Sequence, residues 1–340
     1  AQAPSSEDGD PDVSAARALL DSWKGEIEVL EQARHRLEAA WKANPKNPAA
    51  HKEFEHYQVV RKQMYEIQRK TRGGPGVAEA RRILDSWIGQ PEVLVRAKEA
   101  LDKVVASDTY NAYVPIEAAR LQMMLGFINN RYVKNGKFVY VVGNYAPQVL
   151  DRALQTVGDS TRFDPLNADA FVMRAYIYKE QAQLDRAEAL LKQAESMGAN
   201  DPRRHLYWAD VYIGRGNYAA AVERVQRTLK EVATADTKTT IAAQARLADI
   251  YQKTGEAQKG IAQYEAMLKL EPGNPWIHHN YSVYLCETLG RNDQAIAESR
   301  TALRIMEFGM GRIALATALY AKWADMVAEG QEGADAYFEE

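Results

Sequence analysis

The second half of the chain repeats itself with a period of 34 residues. An alanine, a tyrosine and a second alanine occur in one copy and return in the next. These positions are Ala175, Tyr178 and Ala187, then Ala209, Tyr212 and Ala221. A period of this length is typical of stacked helical hairpins, in which each unit buries its apolar face against its neighbours. The sequence therefore predicts a helical array over this half of the chain.

Two later copies keep the order of residues but not the strict spacing. Ala248 and Tyr251 come five residues late, and the polar stretch 233–240 accounts for the surplus. A fourth copy begins at Pro275 and carries Ala295 in its second helix. The order of residues therefore continues through four copies, although the 34-residue spacing does not.

The residue types explain why the period is helical. Small residues fit where two helices cross closely, and the tyrosine fills the space beside them. Glycine turns such as Gly216 and Gly290 reverse the chain, while prolines such as Pro202 and Pro272 end one hairpin and begin the next. On these features, residues 165–308 resemble the tetratricopeptide repeat (TPR) family. The resemblance implies an all-α fold, a right-handed superhelical α-solenoid of antiparallel helix hairpins.

The N-terminal part carries a second, different duplication. Residues 16–23 (ARALLDSW) resemble residues 80–87 (ARRILDSW), and both continue to a Glu-Val-Leu motif. The offset is 64 residues, and we expect it to slip to 62 further along, where Glu55 corresponds to Glu117. We predict that residues 12–164 form a region of degenerate helical repeats.

Three segments fall outside the repeats. Residues 1–11 are polar, acidic and broken by Gly and Pro, which predicts a disordered lead. Residues 131–145 begin with alternating β-branched and aromatic residues around Asn135-Gly136, which indicates a small β-hairpin or an extended insertion. Residues 309–340 are expected to form a capping helix, at about 312–329, and an acidic tail.

Bulk properties narrow the function class. The 340 residues carry a net charge of -3, which argues against nucleic acid as the main partner. No apolar run approaches the roughly 20 residues that a transmembrane helix needs. The single cysteine excludes an intrachain disulfide. Because Ala1 is a residue type that can follow a cleaved secretory signal, a periplasmic or secreted location is favoured over the cytoplasmic alternative.

No pattern predicts catalysis, a metal site or a cofactor. Cys286 lies among apolar residues of a helix, which favours a buried core thiol over a nucleophile. His51 and His56 are five residues apart, whereas metal-binding pairs on a helix are four apart. His278 and His279 are adjacent, and packing or surface roles are favoured over a place in the groove. We therefore predict a non-enzymatic protein.

Two tryptophans fit either of two roles, packing in the core or stacking on a ligand. Trp23 and Trp87 occupy equivalent positions in the two N-terminal copies, and each closes an apolar periodic run. That position favours a core anchor over an exposed platform for a ligand.

The resemblance implies that a partner lies in the concave groove, which the first helix of each repeat lines. Read outward from the small residues and tyrosines, the groove-facing positions are Tyr176, Lys179, Arg203, Leu206, Asp210, Ile213, Arg246, Asp249, Gln252 and Lys253. A second predicted contact surface is the inserted segment, through Tyr132, Phe138, Tyr140 and Tyr145.

One peptide site of the family does not carry over. The carboxylate clamp for chaperone C-termini needs Asn on the first helices, where this chain has Tyr176, Asp210 and Asp249. The two acidic residues would repel a carboxylate.

Three hypotheses for function remain. The first is a bacterial scaffold or adaptor that binds a partner peptide or helix in the groove, for example in envelope assembly. The second is a structural module that self-associates through exposed terminal helices such as 312–329. The third is a small-molecule or glycan-binding protein that uses the tyrosine-rich insertion.

Overall fold

The computed structural model describes residues 10–129, 131–134, 137–140, 145–232 and 236–339, with side chains outside 128–140 and 338–339. The helices are α1 (Pro11–Ser22), α2 (Ile27–Ala43), α3 (Pro48–Thr71), α4 (Gly74–Asp85), α5 (Pro91–Ser107), α6 (Val114–Asn129), α7 (Pro147–Phe163), α8 (Ala168–Glu180), α9 (Leu184–Ser196), α10 (Arg203–Gly214), α11 (Tyr218–Glu231), α12 (Thr237–Lys253), α13 (Ala257–Leu270), α14 (Pro275–Leu289), α15 (Asn292–Ile305), α16 (Gly309–Ala328) and α17 (Ala336–Glu339). Helices that follow one another pack together, α1 with α2, α4 with α5, α10 with α11, α12 with α13 and α14 with α15. The predicted all-α solenoid fold is confirmed.

Two strands lie between α6 and α7, in the segment where a hairpin or an extended insertion was expected. Strand β1 (Arg131–Lys134) pairs antiparallel with β2 (Lys137–Tyr140), and Val133 is opposite Phe138. Helix α7 follows at Pro147.

The first helix begins earlier than the sequence suggested. Residues 1–9 lie outside the described residues, but α1 already starts at Pro11, within the segment expected to be a disordered lead. The Asp10 carboxylate accepts hydrogen bonds from the backbone amides of Asp12 and Val13. An acidic residue at this N-cap position satisfies amides that have no partner inside the helix, so it starts the helix.

The chain divides into two compact units. Unit 1 consists of Ala1–Ser86, Pro91–Gln122 and Asp151–Ala170, and unit 2 of Trp87–Gln90, Met123–Leu150 and Phe171–Glu340. Each unit therefore draws on three separate stretches of the sequence.

Two equivalent ion pairs mark the duplication within unit 1. Arg17 Nε lies 2.7 Å from Glu53, and Arg81 Nε lies 2.6 Å from Glu117. The two arginines and the two glutamates are each 64 residues apart. The expected slip to 62, which matched Glu55 with Glu117, is wrong: Glu55 is exposed, whereas Glu53 and Glu117 are only 3% and 0% exposed.

Asparagine turns at the same spacing precede helices α3 and α6. Asn47 Oδ1 accepts a hydrogen bond from the Ala49 amide at 3.0 Å, and Asn111 Oδ1 accepts one from the Tyr113 amide at 3.0 Å. Asparagine is among the best residues for this role because its side-chain oxygen replaces the missing helical acceptor. The 64-residue duplication therefore extends to the asparagine turns that precede these two helices.

In unit 2 the repeating small residues are the helix-crossing points. These alanines are completely buried: Ala175, Ala187, Ala209, Ala221, Ala248 and Ala295. The tyrosines at Tyr178, Tyr212 and Tyr251 pack beside them and are half-buried. Gly216, with φ of 73°, adopts the left-handed conformation that reverses the chain between two helices.

The last hairpins of unit 2 share one core. Helix α16 packs on α14 and α15, with Ala318 and Leu319 buried against Tyr284, Leu285 and Ala295. It begins at Gly309, three residues before the expected start at 312. The start is possible there because Phe308, only 1% exposed, packs against the glycine surface of Gly311, where a Cβ would come within 2.8 Å of its ring.

Candidate functional site

Three first helices of unit 2, together with Tyr145 just before α7, bring a group of aromatic and charged side chains together. We call it the first-helix cluster: Tyr145, Tyr176, Lys179, Tyr207, Asp210 and Arg246. Tyr176 is on α8, Tyr207 and Asp210 are on α10, and Arg246 is on α12. The cluster therefore connects three consecutive repeats and includes residues that the sequence had assigned to two separate surfaces.

Stacked tyrosine rings form the apolar part of the cluster. The Tyr176 and Tyr207 rings stack with centroids 4.8 Å apart and an interplanar angle of 25°. Burial raises the pKa of the Tyr176 phenol well above its usual value, and the nearby phenol of Tyr145 and carboxylate of Glu180 add to this effect. Tyr176 is thus a neutral hydrogen-bonding group at physiological pH.

A two-pronged ion pair forms the polar part. Arg246 Nε donates to Asp210 Oδ1 at 2.7 Å, and its Nη2 donates to Asp210 Oδ2 at 2.9 Å. Burial opposes the charge of the guanidinium, but the Asp210 carboxylate raises the pKa of Arg246 overall. Lys179 Nζ lies 3.6 Å from the same carboxylate and 5.1 Å from the centre of the Tyr176 ring. The geometry fixes both charges, and Tyr176 and Tyr207 are half-buried.

Other predicted groove residues lie outside this cluster. Arg203 pairs with Asp201 at 2.7 Å at the start of α10. Gln252 donates to Thr288 at 2.7 Å, and Lys253 lies 3.5 Å from Asp249.

The prediction for Leu206 is wrong, and Ile213 is only partly on the surface. Leu206 is 2% exposed and belongs to the core that Ala209, Val225 and Leu247 also build. A residue three positions before the crossing alanine faces the second helix of the hairpin, because side chains at i and i+3 share a helix face. Ile213 packs on the margin of the same core.

Among the insertion residues, only Tyr145 has a described side chain. The side chains of Tyr132, Phe138 and Tyr140 lie outside the described part, so their contact role stays a prediction. Tyr207 belongs to the cluster but was missed by the sequence reading. The signal in the sequence was its spacing from Asp210, because side chains three residues apart share a helix face.

A second feature missed by the sequence reading is a cavity of about 680 Å³ in unit 1. Five aromatic side chains line it: Phe54, Tyr57, Tyr65, Tyr110 and Phe163. Arg61 lies beneath the rings, 4% exposed, with its Cζ 4.9 Å from the centre of the Tyr65 ring. Its Nη2 donates to Asp108 Oδ1 at 2.7 Å. The signal in the sequence was Tyr57, Arg61 and Tyr65 at intervals of four, which place them on one helix face.

His278 and His279 are buried, and Cys286 is half-buried. His278 contacts Glu298 at 2.6 Å and the Pro272 carbonyl at 2.9 Å. His279 is 5% exposed and has the Trp276 and Phe308 rings around it. Cys286 is half-buried, and burial raises the pKa of its thiol, which disfavours the reactive thiolate.

The burial of His279 has a consequence for stability. Burial lowers the pKa of His279, so the unfolded chain takes up a proton at a higher pH than the folded chain. Stability is therefore expected to fall as the pH drops below about 6.5, the ordinary histidine pKa, by up to about 1.4 kcal/mol for each unit of pKa difference. Urea unfolding at pH 7.5 and pH 5.5 tests this, with His279→Gln expected to show the smaller pH dependence. An equal dependence in both proteins would contradict it.

The two tryptophans sit in packed positions. Trp23 packs on the core of α1 to α3 and donates its Nε1 hydrogen to the Glu26 carbonyl at 2.9 Å. Trp87 makes an edge contact with Phe127, with ring centroids 6.2 Å apart.

Within the described ranges, no group of three or more His, Cys, Asp or Glu side chains is arranged to hold a metal ion. Over the same residues, every helix is too short or too polar to cross a membrane.

Sequence comparison identifies the repeat type. A model of the tetratricopeptide repeat matches residues 168–200 and 241–274, which correspond to the hairpins α8–α9 and α12–α13. No curated protein shows detectable sequence similarity to the chain.

Solved structures share the fold at low sequence identity. A chain of the APC/C hetero-tetramer Cut9–Hcn1 is 13% identical, with a TM-score of 0.52 over 92% of this chain and 56% of that one. A STAND protein with a tetratricopeptide repeat sensor from Pyrococcus horikoshii is 17% identical, with a TM-score of 0.55 over 93% of this chain and 46% of that one. A monomeric IFIT1 mutant with Gppp-AAAA is 14% identical, with a TM-score of 0.53 over 97% and 82%.

This chain spans about half the length of the first two of these proteins. At such identities the similarity concerns the fold alone. The matches at 168–200 and 241–274, and the helical hairpins that contain them, show that this chain contains tetratricopeptide repeats.

Proposed function

We propose that this protein is a non-enzymatic interaction scaffold that binds a partner peptide or helix on the first-helix cluster. The observation that carries the proposal is the Tyr176–Tyr207 stack beside the Asp210–Arg246 ion pair. Stacked aromatic rings offer a partner a large contact area at low entropic cost, and aromatic residues and arginine dominate binding energy at protein interfaces.

The charges next to the stack define what the partner looks like. Asp210 and Arg246 neutralise each other, while exposed side chains of both signs, Asp249 and Lys253, lie on the neighbouring turn. A partner with an apolar or aromatic anchor for the rings, flanked by mixed charges, fits this surface. The same surface disfavours a strongly charged polymer.

The test is selection of binding peptides from a displayed random library on the purified chain. For a selected peptide, Tyr176→Ala is expected to weaken binding at least about tenfold, which corresponds to about 1.4 kcal/mol. The matched control is Arg227→Ala, on the second helix α11, where Arg227 forms an exposed ion pair with Glu223. Binding is measured by calorimetry, with circular dichroism to check that each variant is folded.

Either of two outcomes would contradict the proposal. A library that yields no binder would argue against a scaffold. Unchanged affinity in Tyr176→Ala would exclude the first-helix cluster as the site.

The cavity of unit 1 supports a second candidate, in which a partner side chain or a small molecule binds there instead. Its volume of about 680 Å³ is in the range of ligand pockets. Tyr110→Ala, which removes a ring from the cavity wall, distinguishes the two. Loss of peptide binding in Tyr110→Ala with normal binding in Tyr176→Ala would place the site in unit 1.

The roles in bacterial envelope assembly and the periplasmic or secreted location stay proposals. Both depend on which partner the scaffold binds. The sequences of the selected peptides would give the first indication of that partner.

A further inference from the structure

The aromatic cavity of unit 1 has buried polar groups in its wall that lack a hydrogen-bond partner. Tyr57 and Arg61 line the cavity and are only 5% and 4% exposed. Among the described residues, no group forms a hydrogen bond with the Tyr57 hydroxyl or with Nε and Nη1 of Arg61. Buried polar atoms in folded proteins nearly always have a partner, because leaving one unpaired destabilises the fold. These atoms therefore indicate that a ligand provides the partner.

Arg61 is fixed in the cavity wall from several sides. Its Nη2 donates to Asp108 Oδ1 at 2.7 Å. Its Cζ lies 4.9 Å from the centre of the Tyr65 ring and 5.7 Å from the centre of the Tyr110 ring. Tyr57 precedes Arg61 by four residues on α3, so both side chains lie on one helix face. The guanidinium is therefore held in a defined position, with two of its nitrogens still without an acceptor.

Charged side chains around Arg61 already compensate each other. Carboxylates and guanidiniums alternate in a chain of ion pairs, formed by Glu38, Arg34, Glu31, Arg61 and Asp108. Glu31 is shared, with its oxygens 2.8 Å from Arg34 and 3.7 Å from Arg61. Because three carboxylates face two guanidiniums, a buried anion next to Arg61 would be repelled. A cation has no lone pair to accept the hydrogens of Arg61, so it would not supply the missing partner.

The other charged side chains of the cavity wall do not change this balance. Arg69 is paired with Asp164, whose two carboxylate oxygens lie 2.7 and 2.6 Å from its Nη1. Lys62, Glu66 and Arg162 are exposed, so water and salt screen their charges. The interior of the cavity therefore favours a ligand without a net charge.

We propose that the cavity binds a small neutral aromatic molecule that carries a hydroxyl or amide group, with its ring among the aromatic side chains of the wall and its oxygen beside Arg61 and Tyr57. The oxygen of such a group accepts a hydrogen from the guanidinium, and its own hydrogen can be donated to the Tyr57 hydroxyl. The rings of Tyr65, Tyr110 and Phe163 offer faces and edges for an aromatic ligand. This binding rests on the second candidate function, in unit 1, and is independent of peptide binding at the first-helix cluster.

The probe for this site is β-naphthol, which has two fused aromatic rings and one hydroxyl and is neutral at neutral pH. Titration of the full chain, followed by the fluorescence of the naphthyl ring, is expected to show saturable binding of one molecule per chain. Two compounds with the same rings test the charge: β-naphthoate is an anion and β-naphthylmethylamine a cation at neutral pH. Each is expected to bind at least about tenfold more weakly than β-naphthol.

Tyr57→Phe removes one hydroxyl and keeps the ring. Because that hydroxyl is buried without a partner, its loss is expected to leave the stability of the protein unchanged or higher. Binding of β-naphthol is nevertheless expected to weaken about threefold or more, because one hydrogen bond to the ligand is lost. A purely structural role of Tyr57 would leave the affinity unchanged. The control is Tyr176→Ala in the first-helix cluster, which is expected to bind β-naphthol like the wild type.

Phe163→Ala, which removes a ring from the cavity wall, is expected to weaken binding at least about tenfold, with circular dichroism to check the fold. Absence of saturable binding to the wild type, or wild-type affinity in either Tyr57→Phe or Phe163→Ala, would overturn the cavity site. Tighter binding of either charged compound would overturn the neutral ligand class. Loss of probe binding in Tyr176→Ala alone would place the probe at the first-helix cluster and overturn the proposal as well. Peptide selection plays no part in these titrations, so failure of the scaffold function is distinguished from failure of this site.

Discussion

Asp108→Ala is expected to destabilise unit 1 by about 3–5 kcal/mol, the usual result when one partner of a buried ion pair is removed. The Asp108 side chain is 8% exposed and accepts hydrogen bonds from Arg61 Nη2 and Gln68 Nε2, both at 2.7 Å, and from Asn111 Nδ2 at 3.0 Å. Without the carboxylate, the ion pair that remains to the buried Arg61 guanidinium among the described residues is with Glu31, whose carboxylate lies 3.7 Å away.

The control for Asp108→Ala is Asp102→Ala, on helix α5 of unit 1. Asp102 pairs with Lys98 at 2.5 Å, but both side chains are at least 60% exposed. Exposed pairs of this kind contribute about 0–1 kcal/mol, so Asp102→Ala is expected to change stability by less than 1 kcal/mol. Guanidinium unfolding of both variants, followed by circular dichroism and by hydrogen exchange of unit 1 amides, measures the difference. Equal losses in the two variants would show that the Asp108 network is not a stabilising element.

Leu206→Ala is expected to lower the stability of unit 2 by about 2–5 kcal/mol, the cost of a cavity in a packed helical core. Leu206 is 2% exposed and packs with Ala209, Val225 and Leu247. Had it lined the groove, as the sequence reading predicted, truncation would reduce partner binding and leave the fold almost unaffected.

Ile213→Ala is the comparison, because Ile213 was assigned to the same groove but lies at the margin of the core. We expect it to lose clearly less stability than Leu206→Ala. Thermal and urea unfolding of the two variants measure the two losses of stability. A stable Leu206→Ala protein would mean that Leu206 does not anchor the core between α10 and α11.

The residues that fill helix crossings could be read from the sequence because only small side chains fit there. Ala175, Ala209 and Ala248 are all 0% exposed, as the period predicted. The helix face that points to the groove was harder to assign. Leu206 and Tyr207 are neighbours, yet one is in the core and the other stacks on Tyr176. A rotation of about 100° per residue separates the two environments, and the pattern of apolar residues does not resolve a half-buried tyrosine from a buried leucine.

The contacts between distant parts of the chain could not be predicted from the sequence, for a different reason. Tyr145 was assigned to the insertion and Tyr176 to the groove, but the two phenols interact. The cavity in unit 1 likewise gathers Tyr57, Tyr110 and Phe163 from separate helices and loops. Helical periodicity describes one element at a time, so it does not predict which side chains meet across elements.

The duplicated ion pairs of unit 1 have a consequence for how the chain acquires its structure. Arg17–Glu53 and Arg81–Glu117 each join residues 36 positions apart, within one copy of the duplication. Contacts this close in sequence cost little loop-closure entropy, so each copy can nucleate without waiting for the other. We expect two parallel folding routes of similar rate, and a substitution in one copy would shift the flux to the other. Arrays of nearly equivalent units commonly have this kinetic redundancy, which single-core domains lack.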